Sequence, residues 1–197
     1  SGHPLDDYSI ILTDVCSNHA PDLADISPYK DKDITVGGIV TSVRTGQTKT
    51  GKPYGIVKLE DYDGAGEIAL FGDDWARHSG YFTIGNSLFI TAHVEERHWK
   101  PGNYDLRITK IEFLSDAKEN KIQRITFTLN LDELDDIAAQ DLSTHLQKAG
   151  KTELYFNVRE PKRSFNVTLR SQTPGIAVTK ELVDFVKETP GISYKLN

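Results

Sequence analysis

Apolar and polar positions alternate along residues 34–114 in five stretches, which is the signature of half-buried strands. Val36, Ile39 and Val43 are the expected core positions of 34–43, where the Gly37-Gly38 pair predicts a bulge or sharp bend. Over 54–61, Val57 and Leu59 share one face, with Tyr54, Ile56 and Lys58 on the other. Asp63-Gly64 is the strongest short-range hairpin signal in the chain and predicts a returning strand over 67–71. Residues 73–79 read as a short helical connector plugged by Trp75. Leu88, Ile90, Ala92 and Val94 then alternate strictly. Tyr104, Leu106 and Ile108 follow, continuing through Ile111 and Phe113 after a change of register. Three strands, a helix and two strands is the order of an OB-fold, a partly open five-stranded Greek-key barrel.

The pattern changes over 121–197. Ile125, Phe127, Leu129 and Leu131 alternate as a strand. Asp132 is the expected cap of a helix with Leu134, Ile137, Ala138, Leu142 and Leu146 on one face, ending at Gly150. Leu154, Phe156 and Val158 form the next strand, and Phe165, Val167 and Leu169 another across a turn at 160–163. Thr179 caps a second helix carrying Leu182, Val183 and Val186, which Pro190-Gly191 stops before a last strand at 192–196. The order βαββαβ predicts a small ferredoxin-like α+β domain, so the fold class is mixed α+β. Residues 115–120 read as a linker, and 1–33 as an acidic tether with partial structure over 8–15.

Charge sharpens this division. The 197 residues carry a net −6, but residues 1–33 hold two Lys against seven Asp. The segments 34–114 and 121–197 are each near neutral, so any hold on nucleic acid is expected to be weak and salt-sensitive. No apolar run is long enough to cross a membrane, and no secretory signal is visible. The single Cys16 cannot form an internal disulfide, which predicts a reducing, cytoplasmic setting. The six His are scattered without a Cys pair, so zinc is not expected. Asp61 and Asp63 flank a turn without a third or fourth ligand for a metal. The Ser-Gly start and the lack of Met read as a piece of a longer chain.

OB barrels bind oligonucleotides across strands 2 and 3, between the loops that follow strands 1 and 4. Here the first loop, 45–53, offers Lys49 and Lys52, and the second, 96–103, offers Arg97, His98, Trp99 and Lys100. Arg44, Tyr54, Lys58 and Phe71 complete the candidate set on the strands between them. Stacking of one base on Tyr54 or Phe71 is worth about 1–3 kcal/mol. Each has an ordinary alternative: the lysines as a solvated hairpin tip, the two aromatics as rim packing, Trp99 as a plug over the barrel mouth. His93 reads as a surface histidine, Asp141 and His145 as a surface pair, and Lys162, Arg163 and Arg170 as a charged hairpin open to a partner. No nucleophile, base and orienting group can be assembled from these residues.

The opening SGHPLDDY, the stretch TKTGKPYGIVKLEDYDGAGEIALF and the βα-rich tail together resemble the C-terminal region of the bacterial replicative DNA polymerase III alpha subunit. The resemblance covers essentially the whole chain. It implies a non-catalytic module of a DNA-directed DNA polymerase, a nucleotidyltransferase active in DNA replication. In that family the aspartates holding the catalytic Mg2+ ions lie upstream of SGHPL, so no cofactor is implied within this chain. The implied partners are single-stranded DNA, held weakly by the OB domain, the tau subunit of the clamp loader, and the rest of the polymerase alpha chain, with no membrane. The binding loops here are less basic than that role would suggest. The alternative is an RNA-binding OB appendix, of the anticodon-binding type, on a tRNA-charging enzyme, though 121–197 lacks the adenylate-forming motifs such an enzyme needs.

Overall fold

The computed structural model describes residues 3–98 and 100–197, and the chain divides into two compact units, Ser1–Ala117 and Lys118–Asn197. In the first, β1 (Asp33–Gln47), β2 (Pro53–Glu60), β3 (Ala65–Phe71), α1 (Gly72–His78), β4 (Ser87–Glu96) and β5 (Tyr104–Phe113) follow in the OB order. The strands form an antiparallel sheet ordered β3-β2-β1-β4-β5. β1 is the spine: its first half pairs with β4 and its second with β2, and Ile39 stands opposite both Ser87 and Glu60.

The bend that this double pairing requires comes later than the sequence predicts. The register of β1 on β2 shifts between Val40 and Ser42, beyond Gly37-Gly38. That shift reverses side-chain parity, so Val36 and Val40 point inward, Val43 follows them, and Ile39 is only half-buried. The paired glycines serve close approach instead. A Cβ on Gly37 would lie 2.5 Å from Leu12 Cδ2, and one on Gly38 2.6 Å from the Glu60 carbonyl oxygen. On β5 the jump from Ile108 to Ile111 does mark a bulge, with Thr109 left over opposite Thr91 and Ala92. Val57, Leu59, Ile68, Leu70, Leu88, Ile90 and Val94 fill the core. Trp75 of α1 closes one side of it, stacked on Phe82 at 6.1 Å.

Residues 3–33 are packed against the barrel, where the sequence reads 1–33 as a tether. Leu5, Ile10, Ile11, Leu12 and Ala20 are buried, on or just before short helical turns at Asp6–Tyr8, Ile11–Val15 and Ala20–Ala24. Asn18 bridges to Val36, and the Ser17 and Thr35 backbone N–H groups each donate to the other's hydroxyl at 2.8 Å. Burying that many apolar side chains outweighs the polarity of the segment between them. The expected linker at 115–120 lies inside a helix, α2 (Leu114–Lys121), with Leu114 and Ala117 buried.

The second unit contains β6 (Arg124–Asn130), α3 (Asp136–His145), β7 (Ala149–Glu160), β8 (Phe165–Arg170), α4 (Lys180–Glu188) and β9 (Ile192–Leu196). The element order is βαββαβ, and the sheet order is β8-β7-β6-β9. β6 and β7 are parallel and adjacent, whereas a split βαβ would place a strand between them. α3 is capped by Asp135, whose carboxylate accepts from Ala138 N at 2.7 Å, three residues after the expected Asp132. Asp132 is occupied elsewhere, accepting from Lys162 N at 3.0 Å. α3 also stops short of Gly150, which lies in β7, where a Cβ would come within 2.3 Å of the Ile176 carbonyl oxygen. Thr179 caps α4 as expected, accepting from Leu182 N at 3.3 Å. No helix among the described residues is long and apolar enough to cross a membrane.

Candidate nucleic-acid interface

The Asp61–Gly64 turn sets a symmetric register in which residues equidistant from it face one another. Its hydrogen bond runs from Asp61 N to Gly64 O at 2.9 Å. On the outward side of β1, β2 and β3 this aligns three rows: Ser42–Lys58–Glu67, Arg44–Ile56–Ala69 and Gly46–Tyr54–Phe71. The Tyr54 and Phe71 rings are 5.9 Å apart at 38°, and Phe71 is 49% exposed. Tyr54 has room to lie across β1 because Gly46 is beneath it: a Cβ there would come within 2.8 Å of the ring.

The β1–β2 loop is a closed turn. Thr48 N donates to Lys52 O at 2.8 Å, Lys52 N to the Thr48 hydroxyl at 3.1 Å, and Gly51 N to Thr48 O at 2.9 Å. Gly51 takes φ +79°, a conformation that side chains disfavour. Lys49 and Lys52 are exposed, and the Lys52 stem runs beside Gly72, next to Phe71. Arg44 is not a free cation: its Nη2 donates to Glu67 Oε1 at 2.7 Å.

The β4–β5 loop is bound up with its own acids. Arg97 Nε donates to Asp105 Oδ1 at 2.7 Å, Glu96 accepts from Gly102 N at 2.7 Å, and Lys30 pairs with Glu96. The Lys30 ammonium and the Gly102 N–H hold the Glu96 carboxyl below its ordinary range, and Glu96 holds Lys30 above its own. His98 and Lys100 are exposed, and Trp99 lies outside the described residues. Lys30, His93, Glu96, Arg97 and His98 line a cavity of about 570 Å³ with mixed charge.

The structure therefore gathers Arg44, Lys52, Tyr54, Lys58 and Phe71 at one face, with Lys49 at its edge. Arg97, His98 and Lys100 lie on the β4–β5 loop. Their loop adjoins the start of β1, where Asp31 N donates to Val94 O at 2.9 Å, while Lys49 and Lys52 follow its end.

Sequence reasoning missed Glu67 as the acid that restrains Arg44, because a diagonal contact is visible only once the register is known. It also missed His19. Its Nδ1 lies 2.8 Å from Asp63 Oδ2 and 3.6 Å from Asp61 Oδ2, supplying the third potential metal ligand that the sequence does not show. Asp61 already accepts from Ala20 N, Asp63 N and Gly64 N, so this buried carboxylate ties the leader to the β2–β3 turn. No sequence signal announces a link between residues so far apart.

Comparison with known proteins follows the same division. Residues 34–114 match the OB-fold nucleic acid binding domain, and residues 125–197 match the DNA polymerase III alpha subunit, C-terminal domain. Over most of its length the chain is similar to DNA polymerase III alpha subunits. The DNA polymerase III subunit alpha of Borreliella burgdorferi is 26% identical over 176 residues, covering 87% of this chain and 15% of that protein. The Vibrio cholerae subunit is 23% identical over 187 residues, covering 92% of this chain and 16% of that protein. The chain thus spans 15–16% of the length of these curated relatives. Among solved structures, the second OB-fold domain of replication protein A from Methanococcus maripaludis superposes with a TM-score of 0.29 and 12% identity, covering 43% of this chain and 85% of that one. The OB match spans β1 to β5 and the C-terminal match β6 to β9.

Proposed function

We propose that this chain is the non-catalytic C-terminal module of a replicative DNA polymerase. Its β1–β2–β3 face guides the single-stranded template, and its second unit docks the enzyme to the tau subunit of the clamp loader. The observation that carries the template reading is the Tyr54–Phe71 pair, outward-facing and flanked by Lys52, Lys58 and Arg44. Aromatic faces stack any base, and flanking cations follow the phosphates without reading sequence. Neutralising three phosphates gives a salt slope of roughly −2, so the hold is weak. A weak hold suits a guide, because a strand that must advance with every nucleotide added cannot be gripped tightly.

The test is titration of a labelled oligo-dT into the 197-residue chain at low salt. Changing Tyr54 and Phe71 together to Ala is expected to weaken binding at least tenfold. An unchanged affinity removes the β1–β2–β3 face from the reading. For docking, immobilised tau should capture the chain, and failure to do so at micromolar concentrations ends that half of the proposal.

A further inference from the structure

The sheet of the second unit has two unlike faces. One buries Ile125, Phe127 and Leu154, together with Leu182, Val183 and Val186 of α4. The registers place Arg124, Tyr155, Arg159, Arg170 and Lys195 on the other, with Glu153 as the acid among them. Four cations facing one carboxylate is a local excess of positive charge in a chain of net −6. Thr126, Thr128, Asn157 and Thr168 fill the positions between, offering uncharged hydrogen-bonding groups.

Tyr155 sits at the centre of this face. The Arg124 guanidinium lies 4.4 Å from its ring centroid and that of Arg170 5.9 Å. Both arginines also reach Glu153, at 3.4 and 2.9 Å. One partly exposed carboxylate shared by two guanidiniums leaves donors on each unspent, and exposed pairs of this kind are weak enough for a phosphate to displace. Lys195 and Arg170 end the row Lys195–Thr126–Tyr155–Arg170, about 14 Å apart across three strand spacings.

We propose that this face is a second binding surface for single-stranded nucleic acid, separate from the β1–β2–β3 face and independent of its role. A strand laid across the row would meet a cation at each end and an aromatic platform between. A four-stranded sheet with helices behind it displays bases in this way in RNA-recognition modules, by architectural analogy. An acidic protein segment would also find the charge but would leave the stacking platform unused.

The test uses the whole chain, with Tyr54→Ala and Phe71→Ala present so that the first face is disabled. Labelled oligo-dT is expected to bind this background at low salt. Adding Arg124→Ala, Arg170→Ala and Lys195→Ala should weaken that remaining binding at least fivefold and reduce the salt slope by about 2. Arg124→Lys with Arg170→Lys should keep the slope, and matching urea midpoints check the fold. Lys148→Ala with Lys187→Ala, off this face, should have little effect. The proposal is overturned if the background binds no oligo-dT, if the triple change leaves affinity and slope unaltered, or if the Lys148/Lys187 change costs as much. It is equally overturned if poly-glutamate binds through these cations while oligo-dT does not, which would assign the face to an acidic protein segment.

Discussion

The buried Asp61 carboxylate accepts a hydrogen bond from the Ala20 backbone N–H at 2.7 Å, joining the leader to the β2–β3 turn across 41 residues of sequence. The other oxygen of the same side chain accepts from Asp63 N and Gly64 N at 2.9 and 3.1 Å. Asp61→Ala leaves the buried Ala20 N–H without its acceptor and should destabilise the first unit by about 1–3 kcal/mol. A lowered urea midpoint, with faster hydrogen exchange at Ala20, is the expected readout. Unchanged exchange there would show that the link contributes nothing.

Gly66 makes the same join from β3. A Cβ at that position would come within 1.9 Å of the Ala20 carbonyl oxygen and 2.8 Å of Leu23 Cβ. Gly66→Ala must displace backbone, so a loss of about 2 kcal/mol or more is expected. Gly80→Ala, where a Cβ would meet nothing within 4 Å, is the matched control and should be nearly neutral. Chemical denaturation of the two variants side by side decides it.

His78 gives the chain a pH-dependent term. Burial pushes its imidazole below the ordinary 6.5, and the neighbouring Arg77 adds to the effect against an opposing pull from Asp74. The unfolded chain therefore takes up this proton at a higher pH than the folded one. Stability from this residue is intact above pH 6.5 and falls as the pH drops below it, until the folded imidazole also protonates. His78→Leu should flatten the curve of urea midpoint between pH 7.5 and 5 relative to the wild type. Parallel curves would exclude the residue as the source.

Glu67 restrains the candidate interface. It holds Arg44 at 2.7 Å and stands opposite Lys58 in the register, so it offsets these two of the cations on that face. Glu67→Gln removes the charge with little change of shape. We expect oligo-dT affinity to rise about two- to fivefold, with a steeper salt dependence. The exposed pair is worth little to folding, so the melting temperature should hardly move. A fall in affinity would mean that the face does not meet phosphate.

What could be read from the sequence depended on how local each cause was. Val57 and Leu59 were legible because the core lies on one side of β2 and period-two alternation reports it directly. The Tyr54–Phe71 pairing was implicit in Asp63-Gly64, since the turn fixes the register of both strands. Ile39 was misplaced because a bulge two residues on changes which parity faces inward, and bulges obey no pattern in the strand itself. The leader reads as a tether because Leu5, Ile10 and Ile11 are irregularly spaced among aspartates, while their burial is set by tertiary packing. The cap of α3 moved to Asp135 because a distant backbone N–H, that of Lys162, occupies Asp132. For the candidate site, the residue types were visible early. The rows that bring Arg44, Tyr54, Lys58 and Phe71 to one face depend on pairing partners far along the chain.

The packed leader has a practical corollary for anyone who wishes to transplant this barrel. A graft begun at Ile34 would strip Leu12 from Gly37 and Ala20 from Gly66, leaving two seams of small residues open to water. Such seams are shaped to be covered by another piece of polypeptide, and an uncovered copy would recruit one from its neighbours. A cassette that travels well would begin before Leu5 and carry its own covering with it.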